Sequence, residues 1–182
     1  MRDLCNTGGM PAGLQLDRDG SLLVADMKLG ILRVTMDGAV HDVVREFEGN
    51  PIRGCNDLAF DSAGNLYFTA PAGSSIDNRV GELFCRLVDG KVIRMDGGFA
   101  SCNGLAVSAD DKRLIVAETW TKRLFAYELA EPGVKNHKWI FATLSGDHFG
   151  GPDGIDFDAE GNLISTNWGG GCLEVFDADG RA

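Results

Sequence analysis

At 182 residues, 44% of them apolar, with 25 Gly and only 5 Pro, the chain is long enough to bury a sizeable core in one domain and rich in tight turns. Its formal net charge of −10 argues against a nucleic-acid partner, whose phosphates need a cationic face, and suits a soluble, cation-attracting surface. Five cysteines without C-x-x-C spacing, and an N-terminus lacking an apolar leader or span, point to free thiols in a reducing compartment, so the expectation is a cytoplasmic protein without membrane contact.

One sentence of sequence is written four times. It reads Ala12-Gly-Leu-Gln-Leu-Asp-Arg-Asp-Gly20, then Asn56-Asp-Leu-Ala-Phe-Asp-Ser-Ala-Gly64, then Asn103-Gly-Leu-Ala-Val-Ser-Ala-Asp-Asp111, then Asp153-Gly-Ile-Asp-Phe-Asp-Ala-Glu-Gly161. The copies stand 44, 47 and 50 residues apart, close to one four-stranded propeller blade. In each, a short alternating run meets a turn containing Asp or Gly and then a second apolar run (Leu22–Ala25, Leu66–Thr69, Leu114–Ala117, Leu163–Thr166). Alternation fits the pleat and Asp or Gly tolerates the turn, so each copy predicts a hairpin.

Third and fourth strands are predicted at Gly30–Val34 and Val40–Val44, Gly81–Leu87 and Lys91–Arg94, and Arg123–Leu129 and Lys138–Ala142, while the last copy stops after Cys172–Phe176. No segment sustains a 3.6-residue period over a dozen positions, so the fold class is all-β. The expected architecture is one partial β-propeller over residues 1–182, with blades at about 10–50, 51–98, 99–147 and 148–182.

Repeats place equivalent residues around an axis, and the first strand of each blade runs along the central channel. Asn56, Asn103 and Asp153 share one register there, and their amide and carboxylate oxygens suit a hard cation such as calcium. Asn103 and Asp153, each followed by Gly, would singly read as turn formers; coincidence with Asn56 at one register favours a shared ligand role. Asp57 is less persuasive because Gly13, Gly104 and Gly154 are its equivalents. Asp17, Asp61 and Asp158 read as turn caps, Cys55 and Cys102 as packing thiols, and Glu118 as a weak candidate for a supporting role.

Pro152-Asp153-Gly154-Ile155 followed by Trp168-Gly169-Gly170-Gly171, the Cys102-Asn103-Gly104-Leu105 segment and the Asn56-Asp57-Leu58-Ala59-Phe60 segment together resemble the senescence marker protein-30, gluconolactonase and luciferin-regenerating family over essentially the whole chain. The resemblance implies a six-bladed propeller, of which about four blades are present, binding one divalent cation and hydrolysing sugar lactones or related esters. Calcium is the expected ion, with zinc, manganese or magnesium as alternatives. It implies Asn103 and Asp153 as metal ligands, Asp153 also as the catalytic base or water-orienting group, and Asn56 as a contact to substrate or metal-bound water. Arg53 would replace a substrate-contacting Arg displaced by one residue, and Trp168 would wall the substrate mouth. The family's first-blade Glu, in a Glu-Gly-Pro-like context, has no counterpart before Ala12, so the chain is expected to be the middle of a longer product. Two other readings stand beside the hydrolase: a non-catalytic binding or scaffold propeller, and a strictosidine synthase-like member, which Thr7-Gly8-Gly9-Met10-Pro11-Ala12-Gly13-Leu14 resembles.

Overall fold

The computed structural model describes residues 3–182, arranged as four antiparallel sheets and one small ribbon. The first sheet is β1 (Pro11–Leu16), β2 (Leu22–Asp26), β3 (Gly30–Val34) and β4 (Val40–Val44); the ribbon is β5 (Glu46–Phe47) with β6 (Asn50–Pro51). The second sheet is β7 (Leu58–Phe60), β8 (Leu66–Ala70), β9 (Gly81–Arg86) and β10 (Val92–Phe99), and the third is β11 (Cys102–Val107), β12 (Arg113–Glu118), β13 (Arg123–Glu131) and β14 (Val134–Thr143). The last is β15 (Pro152–Phe157), β16 (Leu163–Asn167) and β17 (Cys172–Phe176). Each sheet is a meander in chain order, and a 3-10 turn at Thr119–Thr121 is the only helical element among the described residues. This is the predicted all-β propeller arrangement. No helix among those residues is long and apolar enough to cross a membrane.

The hairpin turns form for the reason the sequence suggests. Asp61 Oδ1 accepts the Asn65 N–H at 2.8 Å and Asp158 Oδ1 accepts that of Asn162 at 2.8 Å, while the side-chain amides of the same two Asn donate to the second carboxylate oxygens. These Asx-type closures recur at the end of the molecule opposite the candidate residues. The outer strands depart from expectation: β10 and β14 run to Phe99 and Thr143, beyond the predicted ends, and the β5–β6 ribbon was not anticipated.

Stability lies between the sheets. Leu23, Ala25 and Ile31 of the first pack against Leu58, Leu66 and Phe68 of the second. Tyr67 and Leu83 meet Leu114 and Tyr127 at the next interface, and Ile115 and Ala126 meet Ile155 and Leu163 at the last. Each fully buried large side chain contributes about 1.5–3 kcal/mol. A polar lock spans the middle interface, where Asp96 of β10 accepts from the Tyr127 hydroxyl at 2.8 Å and pairs with Lys135 and Lys138 at 2.8 Å each. These donors outweigh burial and hold the Asp96 carboxyl down at about 2. At the two open sides, Leu14 and Leu16 of β1 and Leu173 and Val175 of β17 are exposed.

Two outcomes follow from this packing. Because Asp96 titrates below the ordinary carboxylate range, its stabilisation is complete above about pH 4 and is lost as pH falls toward about 2; Asp96→Asn should remove that part of the acid dependence in urea titrations run across this window. An added Cβ at Gly104 would stand 2.3 Å from the Asp153 carbonyl oxygen, so Gly104→Ala should cost about 1–3 kcal/mol.

Candidate functional site

At the end of the channel where each first strand begins, the ladder is broken at one repeated position. Register slips fall between Pro11 and Leu14, between Cys102 and Leu105, and between Pro152 and Ile155. In the second sheet Asn56 N–H donates to Thr69 O and Thr69 N–H to Asp57 O, so two residues oppose one. Bulges of this kind re-aim a side chain out of the alternation. Ala12, Asn56, Asn103 and Asp153 all sit in them.

Close approach between neighbouring first strands then links these bulges. Gly13 N–H donates to Asn56 O at 2.7 Å, and a Cβ on Gly13 would lie 2.6 Å from that oxygen. Thr69 Oγ1 donates to Asn103 O at 2.7 Å, and Thr119 Oγ1 donates to Pro152 O at 2.8 Å. Thr119 Oγ1 also accepts from Asn103 Nδ2 at 3.3 Å, which engages the nitrogen end of that amide and leaves its Oδ1 as the acceptor to present. Asn103 and the backbone before Asp153 are thus fastened to one hydroxyl. Neither Thr69 nor Thr119 was singled out by sequence, because the two occupy different repeat registers.

Glu118 is buried at the end of β12. Its Oε2 accepts the Ala100 N–H at 2.8 Å and its Oε1 accepts from Thr121 Oγ1 at 2.5 Å, tying down the segment that leads into Asn103. Asp26, its counterpart in the first sheet, accepts the Met10, Lys28 and Leu29 N–H groups. The Glu118 register is therefore a clamp on strand beginnings. Asn167 continues it in the fourth sheet, donating to Glu174 Oε1 at 2.5 Å; its Oδ1 is buried without a partner among the described residues.

Asp153 and Trp168 line one cleft of about 570 Å³, together with Gly154, Thr166 and Asn167. Arg53 is exposed and is not among the residues lining this cleft. A larger cleft of about 790 Å³ opens between the third and fourth sheets at the opposite end, around Asp110, Trp139 and Glu160. Cys55 and Cys102 are buried beside the site, and burial pushes both thiols up to about 12, which keeps them from acting as thiolate nucleophiles. All five cysteines are free, as expected, but Cys172 is exposed.

Asp57 is more notable than its Gly-rich register suggested. Its Oδ2 accepts the Leu105 N–H at 3.3 Å. Burial, and in smaller part the charges of Asp153 and Asp156, hold its carboxyl above the usual range despite that bond. Asp57 is thus a buried carboxyl held toward its neutral form at this end of the channel, although no cluster of three or more His, Cys, Asp or Glu forms among the described residues.

The family follows from residues 3–182, which match the SMP-30/Gluconolactonase/LRE-like region. The chain belongs to this family. It is 44% identical over 187 residues to diisopropyl-fluorophosphatase from Loligo vulgaris, covering 95% of this chain and 60% of that protein. A pentonolactonase from Haloferax volcanii is 33% identical over 171 residues, covering 93% of this chain and 56% of its own length. Among solved structures, a gluconolactonase from Xanthomonas campestris superposes with a TM-score of 0.82 at 26% identity, covering 94% of this chain and 60% of that one. The chain spans about 60% of the length of these relatives.

Because the raised Asp57 carboxyl favours its protonated form in the fold, its contribution to stability is present below the unfolded value and lost as pH rises through the folded one. Asp57→Asn should therefore raise the unfolding midpoint of the metal-free protein at pH 7, with the gain shrinking to nothing on acidification, as read by thermal melts across pH. A variant less stable than wild type at pH 7 would contradict the cost of burying the Asp57 carboxylate at this site.

Proposed function

We propose that the whole protein is a divalent-cation-dependent hydrolase opening lactones or related esters, with its chemistry at Asp153. The observation that carries this reading is the Thr119 hydroxyl, which ties Asn103 and the Pro152 carbonyl together beside a cleft lined by Asp153. The names of the lactonase relatives support the substrate class.

The residues fit a hard cation. Asn56 and Asn103 offer amide oxygens and Asp153 a carboxylate. Calcium suits this all-oxygen donor set; zinc would prefer nitrogen or sulfur. When bound, such an ion polarises a substrate carbonyl and stabilises charge on its oxygen. Asp153 would hold the attacking water and accept its proton as the water oxygen bonds to the carbonyl carbon. The acyl–oxygen bond then breaks, and the proton passes to the departing alkoxide, giving a hydroxy acid. Asn56 and Trp168 would orient the substrate. Arg53 has the weakest support, since it stands exposed and outside the cleft lining.

A second reading is favoured by the 44% identity to diisopropyl-fluorophosphatase. The same carboxylate and water could act at phosphorus, replacing fluoride with hydroxide, because a polarised P=O bond presents the same electrostatic problem as a polarised carbonyl. Parallel assays of gluconolactone and diisopropyl fluorophosphate decide between them.

Asn103→Ala and Asp153→Ala in the whole protein should each weaken calcium binding by about tenfold or more, read by isothermal titration. Lactone turnover should fall by about a hundredfold or more in Asp153→Ala. Unchanged calcium affinity and unchanged turnover in both variants would return the register to ordinary turns and favour a binding or scaffold propeller.

A further inference from the structure

Beside the Asp153 cleft lies a second one, of about 530 Å³. Its walls come from three different parts of the chain: Ile76 in the β8–β9 loop, Trp120 and Lys122 after β12, and His148 and Phe149 before β15. Trp120, Phe149 and Trp168 form a three-ring cluster here, with centroids 5.0, 5.6 and 6.1 Å apart. Trp168 also lines the Asp153 cleft, so the two clefts share an aromatic wall.

The cluster is assembled but not covered. Phe149 is 74% exposed, Ile76 51% and Trp168 47%. A contiguous apolar surface of this kind at the mouth of a cleft marks a contact with something that removes it from water. Apart from the exposed Asp77 carboxylate, the polar side chains around it are already engaged. Ser74 Oγ accepts the Ser101 N–H at 2.8 Å, Ser75 Oγ accepts the Asn78 N–H at 3.1 Å, and Lys122 Nζ donates to His148 Nδ1 at 3.2 Å. A polyhydroxylated ring could stack on the aromatics but would find few unengaged partners for its hydroxyls, whereas an aryl group needs none.

We infer that Trp120, Phe149 and Trp168 form a specificity subsite for an apolar, flat substituent, so that the site selects aryl lactones or aryl esters over polyhydroxylated sugar lactones. This rests on the hydrolase reading for its location beside the reacting carbonyl. Phe149 and Trp120 would act on substrate selection and not on the bond-breaking step.

The test compares dihydrocoumarin, an aryl-fused six-membered lactone, with gluconolactone on the calcium-loaded whole protein. Wild type should prefer dihydrocoumarin in kcat/KM. Phe149→Ala should raise KM for dihydrocoumarin roughly five- to tenfold, leave kcat for it and kcat/KM for gluconolactone within about twofold, and be rescued by Phe149→Tyr, which keeps the ring. Equal losses on both substrates, or no loss on either, would overturn the subsite. If wild type hydrolyses neither lactone, the hydrolase reading fails, and equilibrium titration decides the subsite separately. Quenching of tryptophan fluorescence by dihydrocoumarin that weakens in Phe149→Ala upholds it; quenching unchanged by the substitution overturns it.

Discussion

Backbone meets backbone at the centre of this molecule, and the positions where it does so leave no room for a side chain. A Cβ on Gly13 would collide with the Asn56 carbonyl, and one on Gly104 with the Asp153 carbonyl. Those collisions would fall on rigid main chain with no flexible side chain able to yield, so the glycines set how closely successive sheets approach. That spacing lets Thr69 and Thr119 reach across to Asn103 O and Pro152 O. It also leaves the apolar faces of adjacent sheets at the separation where Phe99 of β10 and Phe125 of β13 meet edge to face, with centroids 6.2 Å apart.

From this spacing the candidate site follows without any dedicated element. A bulge at each strand beginning turns one side chain out of the ladder, and repetition brings several such side chains to one end of the channel. The fold supplies position, and the identity of the residue in the bulge supplies chemistry. Ala12 contributes nothing polar, Asn56 and Asn103 contribute neutral oxygens, and Asp153 contributes charge. The buried carboxylates Asp26 and Glu118 serve a different end, holding the backbone N–H groups that precede each bulge.

Much of the architecture was legible in sequence because the inner strands obey strong local rules. Their alternation and their Asp- and Gly-containing turns recur at fixed offsets, and the structure closes those turns with the expected side-chain bonds. The outer strands are half solvated, so their patterns blur and their ends shift, as at Phe99 and Thr143. A ribbon with two residues per strand, such as Glu46–Phe47 with Asn50–Pro51, carries no periodicity to read. In the site, Asn103 and Asp153 stood out because register is a sequence property. Thr119 did not, since its role depends on reaching two neighbours that only the folded chain provides. Asp57 was obscured by its own repeat: glycine at Gly13 and Gly104 answers a crowded backbone, whereas at Asp57 the same register accommodates a side chain that bonds the next first strand.

Thr119 has one further property, because it is also the first residue of the short 3-10 turn that carries Trp120. The hydroxyl that fastens Asn103 and Pro152 and the indole at the aromatic mouth therefore belong to adjacent residues of a single rigid turn, closed by Lys122 in a left-handed conformation at φ 58°. The position of the indole at the mouth and of the hydroxyl behind Asn103 is thus set by one turn of three residues, not by two separate loops.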